Sequence, residues 1–169
     1  MSLYHLDVEP RDVAAEALGL LLHAPAPEAL AELALDDGRG GTLVLGVLGA
    51  SHVVTAVTGG HVLTEQVSCD ALAAGGRALP ERAESDGYAL SSTVTPVPRA
   101  DLDATAARLR ARAEGDDHLL CGAFPGDAAA LTALAAAPLP GGGWTWETWH
   151  LYPGAERSVI VTTRSRWAR

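Results

Sequence analysis

A chain of 169 residues, 48% hydrophobic and 20% charged, is long enough to bury a core and too apolar to stay disordered, so one domain over 1–169 is expected. Its formal net charge of -9, with the acidic excess between Asp7 and Asp37, argues against nucleic acid, which is held by clustered Lys and Arg. The chain has no Lys, which excludes Schiff-base chemistry, a Walker A nucleotide loop and a pyridoxal-phosphate anchor, and Cys69 and Cys121 lack zinc spacing.

The amino terminus, Met1 to Asp7, shows neither the basic nor the hydrophobic region of a signal peptide. No apolar run reaches the length of a membrane span, so a cytoplasmic protein is expected, without a membrane partner. Leu3 to Val8 alternates weakly, as a short strand would. Pro10 suits the first position of a helix, and Val13, Ala17, Leu20 and Leu21 recur at helical spacing up to Leu22.

Ala29 to Leu35 has helix-forming composition, yet Leu33 and Leu35 alternate with Glu32 and Ala34 ahead of a turn at Asp36 to Gly41. A strand is expected there, leading into Thr42–Leu48. Gly49, Ala50 and Ser51 mark a bulge or sharp bend before His52–Val57. Gly59-Gly60 reads as a two-residue hairpin loop, which puts Val54 opposite Glu65 and His52 opposite Val67.

Asp70 to Pro80 is Gly-rich and reads as a loop. A strand follows from Tyr88, or from as early as Arg82, to Val97, closed by Pro96 and Pro98. Asp101 or Asp103 opens a helix whose apolar stripe is Leu102, Ala106, Leu109 and Ala113. His118 to Ala123 reads as a strand, and Pro125-Gly126-Asp127 as the start of another helix with Leu131 and Leu134 inward. The last unit is a hairpin: Trp144–Tyr152, a turn at Pro153 to Glu156, then Arg157–Ser165. Together these elements give an α+β fold: a curved, mostly antiparallel sheet with two or three helices packed on it.

Five short blocks lie in order along the chain: Leu48-Gly49-Ala50-Ser51-His52, Leu79-Pro80-Glu81-Arg82, Phe124-Pro125-Gly126, Thr148-Trp149-His150 with Pro153 after it, and Thr163-Arg164-Ser165. In this series the sequence resembles an uncharacterised family of actinobacterial proteins, domain of unknown function 2617. After the third block a Ser-Pro step would be expected, where this chain has Asp127-Ala128. The resemblance implies neither an activity nor catalytic residues.

Four residues have the chemistry of site candidates: His52, Glu65, Glu147 and His150. Histidines and carboxylates from different strands can converge as metal ligands or as an acid–base pair, or simply hydrogen-bond across neighbouring strands. The hairpin turn assumed above sets Glu147 opposite Thr162 and diagonal to Arg164, and His150 opposite Val159 on the face of Trp144, Trp146 and Tyr152. That aromatic face suits a planar ligand, a core or a subunit contact. Arg82, Arg164 and the start of the helix expected after Gly126 are candidates for holding an anion. Ser51 lacks the final Gly of a nucleophile elbow.

No cofactor is implied by any motif. The leading expectation is a small ligand-binding or regulatory domain without catalysis of its own. The alternatives are an enzyme acting on a phosphorylated or carboxylated small molecule, with or without a metal, and a structural homodimer joined through the Trp144–Tyr152 hairpin.

Overall fold

The computed structural model describes residues 11–12, 29–48, 51–59, 61–68, 82–85, 87–115, 119–124, 129–155 and 157–168. They form two antiparallel sheets, one helix and a short 3-10 turn. The smaller sheet contains β1 (Arg11–Asp12), β2 (Ala29–Asp36), β3 (Thr42–Leu48), β4 (Ser51–Thr58) and β5 (His61–Ser68). Its strand order is β1-β5-β4-β3-β2. The larger sheet contains β6 (Arg82–Ser85), β7 (Tyr88–Pro98), β8 (Leu119–Gly122), β9 (Leu131–Pro138), β10 (Gly143–Tyr152) and β11 (Arg157–Ala168). Its order is β6-β7-β11-β10-β9-β8. Helix α1 (Leu102–Gly115) follows a 3-10 turn at Arg99–Asp101.

The sheets face each other, and alternation along each strand sends every second side chain into the space between them. From the smaller sheet come Leu43, Leu45, Val54, Ala56 and Leu63. From the larger come Leu90, Leu134, Trp144, Trp146 and Trp167, and all ten are buried. Each buried Leu contributes roughly 1.5–3 kcal/mol to holding the sheets together. Arg39 adds a polar clamp at one end, donating from Nη1 to the Pro140 carbonyl at 3.0 Å. Gly143, with φ +92, permits the close approach of β10 to β11, since a Cβ there would sit 2.1 Å from the Trp167 oxygen.

The helix packs on the other face of the larger sheet. Its Leu102, Ala106, Leu109 and Ala113 stripe contacts Leu131, Leu151, Ala133 and Trp149, as helical spacing predicts. Strands β4 and β5 pair in the expected register, with Val54 opposite Glu65 and His52 opposite Val67. Ala29–Asp36 is a strand, and its alternation outweighs its helix-forming composition because β3 supplies a partner.

Several expectations require correction. One curved sheet becomes two facing sheets, and the described residues hold one helix instead of two or three. The helix expected around Leu131 and Leu134 is strand β9, paired with β8 on one side and β10 on the other. Leu131 to Leu134 are all buried, so the run is buried on both faces and carries no apolar period of two to reveal it. Arg11 and Asp12, placed in a first helix, pair with Val62 and His61 as β1. The rest of that helix, the Leu3–Val8 strand, the Asp70–Pro80 loop and the Pro125–Asp127 turn lie outside the described residues.

The bend before His52 is a chain reversal, since Leu48 pairs with Ser51. Arg82–Ser85 is a strand of its own, folding back on Tyr88–Ser91. The last hairpin is longer in its loop: Tyr152 pairs with Val159, so Glu147 faces Arg164 and His150 faces Val161. Arg157 and Ser158 leave the turn to pair with Pro98 and Val97 of β7. The shift is two residues, so every side chain keeps its expected face.

A buried carboxylate and histidine pair between the sheets

Register places His52 on β4 and Glu65 on β5, both pointing into the space between the sheets. His150 points into the same space from β10, and all three side chains are fully buried. His52 Nε2 lies 3.6 Å from Glu65 Oε1, an ion-pair contact. On the other side of the ring, His52 Nδ1 is 3.1 Å from His150 Nε2. His150 Nδ1 is then 3.1 Å from the Thr132 hydroxyl. The result is one chain, Glu65–His52–His150–Thr132, linking strands of both sheets.

Glu65 is also held from the larger sheet. The Tyr88 hydroxyl donates to Oε2, and the Trp146 indole N–H donates to Oε1 at 3.1 Å. Burial alone raises the Glu65 carboxyl, but attraction to His52 and the donors Tyr88 and Trp146 outweigh it. The net displacement is below its ordinary value of 4.5, so the group is a carboxylate. Burial holds His150 well below the usual imidazole range, and repulsion from His52 pushes it further down. A neutral His150 has one donor and one acceptor nitrogen, enough to meet His52 through Nε2 and the Thr132 hydroxyl through Nδ1.

The arrangement is not a metal centre as it stands. Glu65 and His150 meet opposite nitrogens of His52, so the three share no common coordination point, and no metal-holding cluster occurs among the described residues. Nor do the other candidates join. Glu147 sits at an odd position of β10, on the outer face, where its Oε1 accepts from Arg164 Nε at 2.9 Å. Arg164 is 73% exposed. Arg82 pairs with Ser91, whose other neighbour is Arg164, so these backbone positions form one row across the sheet. Gly126 lies outside the described residues. An enzyme that used His52, Glu65, Glu147 and His150 around one substrate would need them in one cavity, and the sheet separates Glu147 from the rest.

Sequence reasoning singled out His52, Glu65 and His150 but not the groups that complete the chain. From the sequence Tyr88 reads only as the start of a strand, and Trp146 only as part of an aromatic face. Thr132 lies in the run read as a helix. The signal for the first two was parity: Tyr88 pairs with Trp167 and Leu90 with Ser165, on the same face as Trp146.

The larger sheet's inner face changes character along its length. Its first cross-strand rows hold Tyr88, Trp167 and Trp144, then Leu90, Ser165, Trp146 and Ala136. The next rows hold Ser92, Thr163, Thr148 and Leu134, then Val94, Val161, His150 and Thr132. Thr148 and Thr163 hydrogen-bond through their hydroxyls, and Tyr152 stacks beside His150 with ring centroids 6.2 Å apart. Val94, at the β7 end of the last row, is 45% exposed.

Comparison with known proteins gives a family and no activity. Residues 15–166 match the family described as "Protein of unknown function DUF2617". An uncharacterised protein of Mycobacterium bovis is 49% identical over 167 residues, covering 99% of each chain. Uncharacterised proteins of two Mycobacterium tuberculosis strains match to the same extent. No solved structure matches the chain.

Proposed function

The chain belongs to the DUF2617 family, and from the chemistry of its interior we propose a ligand-binding domain without catalysis of its own, taking a small, polar, uncharged molecule between its two sheets. The observation that carries this reading is the change from Trp and Leu to Thr, His and Tyr along one buried face. Burying polar groups costs free energy that apolar side chains would not. The same sheet fills its first rows with tryptophan and leucine, so the fold is able to pack that way. A polar end is therefore a property that function supports and stability alone does not.

The class of ligand follows from charge. The Glu65 carboxylate is already held by His52, Tyr88 and Trp146, and His150 is neutral, so an added net charge would meet no partner there. Hydroxyls of Thr132, Thr148 and Thr163 both donate and accept, which suits a molecule rich in hydroxyl or amide groups. The exposed flank at Val94 is the side from which such a molecule enters.

The test is a thermal-shift screen with neutral polar metabolites, followed by titration of any hit. A ligand that binds only the folded state adds about 2.7 kcal/mol at a hundredfold excess over Kd. Saturable stabilisation that disappears in Thr148→Val with Thr163→Val supports the proposal. A broad panel without a saturable shift overturns it.

A further inference from the structure

The outer face of the larger sheet is only partly covered by α1. Beyond the helix, two rows of residues run across the strands: Ala135, Glu147, Arg164 and Ser91, then Ala137, Thr145, Arg166 and Ala89. Small side chains at Ala135, Ala137, Thr145, Ser91 and Ala89 leave the arginines standing over a low floor. Two hollows result, meeting at Thr145. One, of about 280 Å³, is lined by Arg112, Ala135, Ala137 and Glu147; the other, of about 360 Å³, by Ser91, Ala89, Arg164 and Arg166.

The charge on this face runs against that of the molecule. The chain as a whole carries -9, yet the described ionised groups lining these hollows are Arg112, Arg164 and Arg166 against the single carboxylate Glu147. Glu147 is already engaged with Arg164. Arg112 lies over the Trp149 ring at 5.0 Å, which fixes its stem at the edge of the first hollow. Arg166 is exposed and has no ion-pair partner among the described residues. Arg164 and Arg166 alternate on one strand, so their Cα atoms are about 6.8 Å apart, close enough for both guanidinium groups to reach one oxyanion.

We propose that this face is a second binding site, separate from the interior one, that takes a small molecule bearing a doubly charged oxyanion. The anionic group sits between Arg164 and Arg166, and its organic portion lies over Ala135 and Ala137 towards Arg112. Phosphate monoesters and compact dicarboxylates share the required chemistry. A long polyanion is disfavoured because the rest of the acidic surface repels it.

The site can be tested on the full chain by NMR titration at low ionic strength, following the arginine Nε–H signals. The probes are inorganic phosphate, glycerol phosphate and succinate, with chloride as control. The account expects saturable shifts at Arg164 and Arg166 that weaken with salt. Arg166→Gln should weaken binding at least tenfold, while Glu147→Gln should strengthen it by releasing Arg164 from its internal partner. Both substitutions are at the surface, and unchanged circular dichroism checks folding. Tighter binding of glycerol phosphate than of succinate assigns the phosphate source, and the reverse assigns the carboxylate; either supports the site. Shifts no larger than with chloride, binding insensitive to Arg166→Gln, or binding confined to long acidic polymers overturns it. Because these residues lie on the opposite face from His150, failure here leaves the interior ligand unaffected, and the reverse holds equally.

Discussion

His52 on the smaller sheet and His150 on the larger one meet across the interior with Nδ1 and Nε2 3.1 Å apart, their rings within 15° of parallel. This contact joins two hydrogen-bond systems. One is anchored on the Glu65 carboxylate and the other ends on the Thr132 hydroxyl. Since the four side chains come from β4, β5, β9 and β10, the chain records the relative placement of the sheets as well as their chemistry.

The first prediction concerns what the carboxylate contributes. Removing Glu65 leaves His52 without its carboxylate neighbour and strands the Tyr88 and Trp146 donors in the interior. Glu65→Ala should lower the urea unfolding free energy by about 3–5 kcal/mol, the usual consequence of breaking a buried pair. Glu147→Ala removes a carboxylate from an exposed pair and should cost no more than about 1 kcal/mol. Similar losses in both variants would contradict the difference in burial.

Acid sensitivity follows from the same groups. His150 in the folded chain titrates well below its ordinary 6.5, because burial and His52 oppose its cation. Between the folded and unfolded values the unfolded chain binds more protons, so stability rises with pH there and is lost on acidification. Glu65, also displaced downwards by His52, Tyr88 and Trp146 against the burial effect, adds a loss of the same sign below about 4.5. Stability should therefore begin to fall as pH drops through 6.5. In His150→Phe the part of that slope lying above pH 4.5 should shrink, measured as the urea midpoint at several pH values. An unchanged slope would show that His150 does not titrate in this way.

The Tyr88 hydroxyl can be tested alone. Tyr88→Phe keeps the ring against Trp146 and removes only the donor to Glu65. Hydrogen bonds to charged groups contribute about 1.5–3 kcal/mol, and a loss of that size is expected at pH 7. Below the Glu65 titration the difference from the unsubstituted chain should narrow, since a protonated carboxyl needs the donor less.

Strand β9 offers a check on the fold. Leu134 is buried between the sheets, so Leu134→Ala opens a cavity and should cost about 2–5 kcal/mol in urea unfolding. Ala137, exposed at the end of the same strand, should tolerate Ser with a change below about 0.5 kcal/mol.

What the sequence disclosed was local and covalent in range. The two glycines at 59 and 60 set the β4–β5 register, and with it the neighbouring positions of His52 and Glu65. The α1 stripe was equally legible, because four apolar residues at helical spacing have one plausible buried face. Strand β9 was not, since alanine and leucine buried on both faces leave no alternation to read. Nor was the meeting of His52 with His150, because contact between facing sheets obeys no sequence period. Glu147 shows how narrow the margin is: one residue from Thr148, it points to the opposite side of the sheet.

Nitrogen-15 NMR of the imidazole rings at pH 7 tests the central claim most directly, that a carboxylate-anchored histidine pair with a neutral His150 joins the two sheets inside the sandwich. The account predicts a neutral His150 ring whose nitrogen signal is coupled to His52 across the 3.1 Å contact. A His150 protonated on both nitrogens, or two rings without coupling, would contradict it and remove the neutral histidine on which the proposed ligand class rests.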